Sequence, residues 1–144
     1  MSKIHPVVQK MLDTDEMTRW LNVEVIESKE GFCKLQMTIR DEMVNGFKIA
    51  HGGIAFSLAD SAIAFAANAH GRHAVSLSTS IRHLHPVFVR DTLTVEAEVT
   101  NMKHKIVNVD ANVFNQDGIK VADLQATGYR KSEQWQGLCK PLQD

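Results

Sequence analysis

Apolar positions along this chain follow different rhythms in different stretches. Over residues 5–21, Val7, Val8, Met11, Leu12, Met17, Trp20 and Leu21 recur at helical spacing, which predicts one or two short amphipathic helices. From Glu24 the period shortens. Val25, Phe32, residues 34–37 and Ile39 read as two strands joined around a turn at Glu30-Gly31. Residues 41–50 read as a loop with a turn at Asn45-Gly46. A helix is predicted from near Gly52 to near His70, with Gly71 as its stop. Apart from Ser57, Asp60, Ser61 and Asn68, which fall on one side, it is Ile, Leu, Phe, Ala and Gly throughout, so it should be buried on most faces. Strand-like runs follow at 75–84, 92–101, 105–115 and 119–130, separated by Pro86, Arg90-Asp91, Lys103-His104 and Asp117-Gly118. In the second of them, Leu93 to Val99 alternates apolar and polar residues as a half-buried strand does.

The polar stretch 131–144, with Gly137 and Pro141, reads as a loose tail. One long buried helix among about six strands gives an α+β domain spanning 1–144, a curved antiparallel sheet wrapped round a helix, with its core over about 20–130. Six strands are too few to close over such a helix. A second copy of the chain is the natural cover.

Composition narrows the function classes. A formal net charge of −1 over 144 residues offers no broad cationic face for nucleic acid. Two cysteines, Cys33 and Cys139, far apart, make no disulfide framework, which fits a reducing cytoplasm. No secretory signal is evident at the N-terminus, and the longest apolar run, 62–67, is too short to span a bilayer. The expectation is a soluble cytoplasmic protein with no membrane or nucleic-acid partner.

The candidate chemistry lies between Asn45 and Asp60. Two glycines, Gly52 and Gly53, open the long helix and leave bare N–H groups where the helix dipole is most positive, a place to hold a developing oxyanion. Asp60 is the only charged residue between His51 and His70, and an unpaired charge is costly in so apolar a helix. The pattern points to carbonyl chemistry carried out by a carboxylate. Asn45-Gly46, His51-Gly52-Gly53 and Asp60, followed by Leu84-His85-Pro86 and Arg90-Asp91-Thr92-Leu93, resemble the hotdog-fold acyl-CoA thioesterases of the PaaI type. The similarity covers roughly residues 20–130. One departure is the absence of the glycine that family members typically carry before Asp91.

That resemblance implies hydrolysis of an acyl-CoA, of aryl-acetyl or small-to-medium acyl type, to a free acid and CoA, with no metal or other cofactor. It implies that the Gly52 N–H polarises the thioester carbonyl and that Asp60 is the nucleophile or the base that activates water. Asn45 and His51 would shape the carbonyl end, with His51 supporting the loop. A serine early in the next strand would position the water or the carboxylate, Ser76 as first choice and Ser78 as second. Gly53, Ser78 and Phe56 would contact substrate, and Met43, Phe47 and Phe65 are further candidates to line an acyl tunnel. The implied assembly has a homodimer as its minimal active unit, within a homotetramer. Helix geometry adds that Gly52 and Asp60 lie about 12 Å apart along one axis, too far for one thioester carbonyl to touch both. The two groups should therefore come from different subunits.

Other readings of the same residues remain. Asp60 could be a structural carboxylate, and the glycines could serve only close helix packing. His70 with His73 and His83 with His85 have zinc-compatible spacing, but no cysteine or carboxylate cluster completes a site. No Gly-x-Ser-x-Gly elbow accompanies a serine nucleophile. Arg82, Arg90, Lys103 and Lys105 could meet CoA phosphates, or be solvated surface charge. The rival functions are a hotdog dehydratase or hydratase and a non-catalytic acyl-CoA-binding module.

Overall fold

The computed structural model describes residues 4–135 and 137. Two short helices, α1 (Pro6–Thr14) and α2 (Glu16–Leu21), precede a β-hairpin of β1 (Glu24–Lys29) and β2 (Phe32–Thr38). Gly31 turns that hairpin at φ 75°, a left-handed conformation that glycine adopts without steric cost. A loop then leads into α3 (Gly52–Asn68), and β3 (Arg72–His83), β4 (Thr92–Lys103), β5 (Ile106–Phe114) and β6 (Lys120–Gln134) follow. The strands form one antiparallel sheet in the order β1-β2-β4-β5-β6-β3. This is the α+β hotdog arrangement, with α3 packed across the concave face of the sheet.

Burial explains why α3 sits there. Ala55, Leu58, Ala59, Ala62, Ile63, Phe65 and Ala66 all lie in the core with Leu35, Leu93, Val95, Val109 and Leu124 from the strands. Each fully buried Leu, Ile or Phe contributes about 1.5–3 kcal/mol of transfer free energy. The helix stops at Asn68, whose buried side chain turns back on the backbone. Its Nδ2 donates to Ala64 O at 2.8 Å and to Ala74 O at 3.2 Å, while its Oδ1 accepts from Ala74 N at 3.0 Å. Gly71, at φ 110°, then reverses the chain into β3.

Two expected boundaries move. The strand expected at 75–84 begins at Arg72. Residues 131–134, read as the start of a loose tail, continue β6, because Arg72 at the start of β3 pairs with Gln134. Trp135 is held as well, with its N–H donating to Gly71 O at 2.8 Å and its indole Nε1 to Asn68 Oδ1 at 3.1 Å. The rest of that stretch, Cys139 included, lies outside the described residues apart from Gly137.

The sheet leaves β3 as a twelve-residue edge strand with one side unpaired. Val75 and Leu77 on it are 45% and 59% exposed. Ser57, Asp60, Ser61 and Ala64 on α3 are half-buried while most of the helix around them is buried. A long edge strand with exposed apolar residues is a template for pairing with another chain. Among the described residues no helix is long and apolar enough to cross a membrane.

Candidate active site

The loop before α3 delivers its first turn. Residues 44–50 fold back on themselves, with Asn45 N donating to Ile49 O at 2.8 Å. Asn45 Oδ1 accepts from Phe47 N at 2.8 Å and from Ile49 N at 3.3 Å, so its side-chain oxygen is spent on holding the loop. The residue with left-handed backbone is Lys48 (φ 62°), two positions after the Gly46 that marks the turn in the sequence. Ala50 N donates to Val87 O at 2.7 Å and His51 N to Met43 O at 2.8 Å, which anchors the chain as it enters the helix.

His51 is the N-cap of α3. Its Nδ1 accepts from Gly53 N at 3.0 Å, and its carbonyl accepts from Ile54 N at 2.9 Å. The Gly53 N–H is therefore occupied, whereas the Gly52 N–H has no hydrogen-bond partner among the described residues. Gly52 is exposed and lines a cavity of about 470 Å³ together with His51, Ala55, His83, His85 and Val87. An open N–H in the first turn, where the helix carries partial positive charge, suits an anionic oxygen. Glycine at 52 also has a steric reason. A Cβ there would lie 3.0 Å from Cε1 and 3.1 Å from Nε2 of the His83 ring.

Asp60 lies two turns further along the same helix, outside that cavity. It is half-buried, and its carboxylate has no hydrogen bond or ion pair among the described residues. Burial pushes its carboxyl above the usual carboxylate range, because desolvation penalises the charged form. A raised, unpartnered carboxyl, half-buried on an otherwise apolar helix, has the properties of a general base.

The strand register separates the two serine candidates. Cross-strand partners share a face, and Thr79, Ile81 and His83 pair with the buried Ala126, Leu124 and Ala122 of β6. A bulge at Leu77 breaks the alternation between Ser76 and Ser78. Ser76, paired with Gly128, consequently turns towards α3 and lines an apolar groove of about 200 Å³ with Ile63, Ala64, Ala67 and Ala74. Ser78 pairs with Thr127 on the opposite face, where Thr127 Oγ1 donates to Asn108 Oδ1 at 3.0 Å. Ser78 therefore faces away from its own chain's α3, which carries Asp60. Ser76→Ala is expected to lower kcat ten- to a hundredfold and Ser78→Ala to stay within about threefold, as steady-state hydrolysis would show. The reverse ranking would place the bulge elsewhere.

Burial and contacts place the other candidate residues. Met43 and Phe65 are core residues, 2% and 0% exposed, and cannot line a tunnel. Phe56 packs partly buried against the core, and Phe47 stands 85% exposed at the tip of the loop. The first pair of zinc-spaced histidines, His70 and His73, serves other neighbours. His73 stacks on Trp135 with ring centroids 4.2 Å apart, and His70 occupies the space beside Gly31. Among the described residues no three His, Cys, Asp or Glu side chains are grouped to hold a metal ion. The Cys33 thiol is buried and pushed up to about 12, so it is inert as a nucleophile at neutral pH. Arg82 is engaged by Asp123 through two hydrogen bonds of 2.9 and 2.6 Å, and Lys105 lies over the Tyr129 ring. Arg90, where the resemblance calls for glycine, has φ 71°. That left-handed backbone costs a side-chain-bearing residue about 1 kcal/mol and shows why glycine suits the position.

His83 and Thr79 were not singled out as site residues in the sequence, where His83 entered only as half of a zinc-spaced pair. Both emerge from the β3–β6 register, which puts Thr79 on the helix side and His83 against Gly52.

Comparison with known proteins adds to this geometry. Residues 47–122 match the family model of the thioesterase superfamily. The acyl-coenzyme A thioesterase PaaI of Escherichia coli is 36% identical over 120 residues, which are 83% of this chain and 86% of that protein. The structure of the E. coli PaaI protein from the phenylacetic acid degradation operon superposes with a TM-score of 0.87 at 34% identity, covering 89% of this chain and 93% of that one. A Streptococcus mutans protein, crystallised with acetyl-CoA, matches with a TM-score of 0.76 at 26% identity over 78% of this chain and 91% of its own. Fold, matched span and identity agree: this chain belongs to the thioesterase superfamily, as a hotdog thioesterase of the PaaI type.

Proposed function

We propose that this thioester hydrolase acts on acyl-CoA, with Gly52 and Asp60 from two subunits meeting at one thioester. The observation that carries the reading is the uncommitted Gly52 N–H at the positive end of α3, opening on a cavity large enough for a thioester and its pantetheine arm. The carbonyl oxygen accepts a hydrogen bond from Gly52, which draws charge off the carbon and stabilises the oxyanion as it forms. Asp60 deprotonates the attacking water, or itself attacks and forms an anhydride that water then opens. In the water route the new C–O bond forms as the proton passes to Asp60, and the C–S bond breaks as the tetrahedral oxygen re-forms its carbonyl. The thiolate leaves with a proton returned from Asp60. Ser76 orients the water or the carboxylate from the β3 side. No metal or other cofactor enters this scheme.

The length of α3 supports the two-subunit arrangement. Eight residues of helix separate Gly52 from Asp60 by about 12 Å, whereas reacting groups must approach within about 3–3.5 Å. Edge-to-edge pairing of two β3 strands would bring the exposed Val75 and Leu77 under cover and set one α3 beside the other. Two such dimers would make the homotetramer. Those assemblies and a cytoplasmic setting belong to this proposal.

The apolar groove one turn beyond Asp60, about 200 Å³, has room for a phenyl ring or a short alkyl chain. It supports an aryl-acetyl or small-to-medium acyl group over a long fatty chain. Release of free thiol from a panel of acyl-CoAs tests the proposal. Phenylacetyl-CoA and short-chain thioesters should turn over at least about tenfold better in kcat/KM than palmitoyl-CoA. Ligand-induced stabilisation without thiol release would instead identify a binding module.

A further inference from the structure

Three histidines line the cavity onto which Gly52 opens, and their hydrogen bonds distinguish them. His85 Nδ1 lies 2.8 Å from Pro86 O, and a carbonyl only accepts, so the neutral ring carries its proton there and leaves Nε2 as a bare acceptor. His51 Nδ1 is held by the Gly53 N–H as part of the helix cap. His83 differs from both: neither of its ring nitrogens has a partner among the described residues. Its backbone is nonetheless fixed. His83 is the last residue of β3 and pairs with Ala122, and its neighbour Arg82 is clamped to Asp123 on the other face.

The ring also stands in one defined place. Its Nε2 lies 3.1 Å from where a Cβ on Gly52 would be. A Cβ is about 2.5 Å from its own backbone nitrogen, so Nε2 is at most about 5.6 Å from the Gly52 nitrogen. Two donors can share one oxygen at hydrogen-bond distance, about 2.9 Å each, when they are no more than about 5.8 Å apart. We propose that His83 supplies the second hydrogen bond to the oxyanion held by Gly52, donating from Nε2. This rests on the reading of the Gly52 N–H as the oxyanion donor. It gives the absence of a side chain at position 52 a chemical purpose, since a methyl there would push the imidazole away from the shared oxygen. His83 makes contact with the substrate and is assigned here as a catalytic residue that stabilises charge. It transfers no proton.

Two substitutions separate a donor from a spacer. His83→Phe keeps a ring packed against Gly52 but has nothing to donate, whereas His83→Gln keeps a donor at reduced volume. With an acyl-CoA that the wild-type protein hydrolyses, His83→Phe is expected to lower kcat ten- to a hundredfold with KM within about threefold. His83→Gln should recover at least a third of the wild-type kcat, and thermal melting should show both variants folded. Wild-type turnover in His83→Phe, or no advantage of Gln over Phe, overturns the inference. Loss of activity in Asp60→Ala alongside either result leaves the thioesterase mechanism standing. A wild-type protein inert towards every acyl-CoA overturns the mechanism and, with it, this role for His83.

Discussion

Replacing Asp60 with asparagine or alanine is expected to lower kcat by at least about a thousandfold, some 4 kcal/mol of transition-state stabilisation, with the fold intact. Asp60 is the only charged residue between His51 and His70, so no neighbour on the helix can take over its proton or its attack. Its carboxylate makes no structural bond among the described residues, and its removal should leave the core unchanged. Turnover near the wild-type rate in a folded Asp60→Ala protein would exclude it as base or nucleophile.

The same residue sets a pH signature. Burial raises its carboxyl above the usual range, and the base acts only when ionised. The acid limb of the kcat/KM profile should therefore have its midpoint above the ordinary carboxylate value, with activity rising as the pH rises through it. The sign for stability is opposite. A folded state whose carboxyl titrates higher than in the unfolded chain binds the proton more tightly. Its contribution to stability is full below the unfolded pKa and is lost as pH rises through the folded one. At neutral pH ionised Asp60 is thus a cost to folding, and Asp60→Asn should melt no lower than wild type while losing activity. A lower melting temperature would mean that the carboxylate has a charge partner across the dimer.

How much of this was legible in the sequence depended on whether the signal was local. The run from Gly52 to Asn68 carries much of its story in its composition: apolar on most faces, opened by glycine and charged only at Asp60. The hairpin at Gly31 and the alternation of β4 are equally local. What failed was long-range. Ser76 and Ser78 look alike until the bulge at Leu77 turns one inward and the other outward, and a bulge is a property of the pairing with β6. Met43 and Phe65 read as free to line a tunnel because nothing in the chain says which apolar residue the sheet will cover. His83 became visible only when β3 brought its ring to Gly52, thirty-one residues earlier in sequence.

Co-refolding two inactive variants is expected to restore activity, and this is the sharpest test of a site shared between subunits. Gly52→Pro deletes the oxyanion N–H. Proline is tolerated at the first position of a helix, and His51 already has the extended backbone, φ −57° and ψ 136°, that a residue before proline requires. Asp60→Ala deletes the carboxylate. Each homodimer carries its lesion at both sites and should be inactive. In a mixed dimer the two lesions fall together at one site, and the other site takes Gly52 and Asp60 from unaltered positions. Random exchange makes about half of the dimers mixed, so roughly a quarter of all sites should work, by counting from the two-fold symmetry. Differential tags would prove the heterodimers, and thiol release would report the sites. Thermal melting of each homodimer would show that both variants fold. Proven heterodimers without recovered activity would put both groups of each site in one chain, which the ~12 Å of helix between them forbids for a single carbonyl. The Gly52–Asp60 pairing itself would then have to be abandoned.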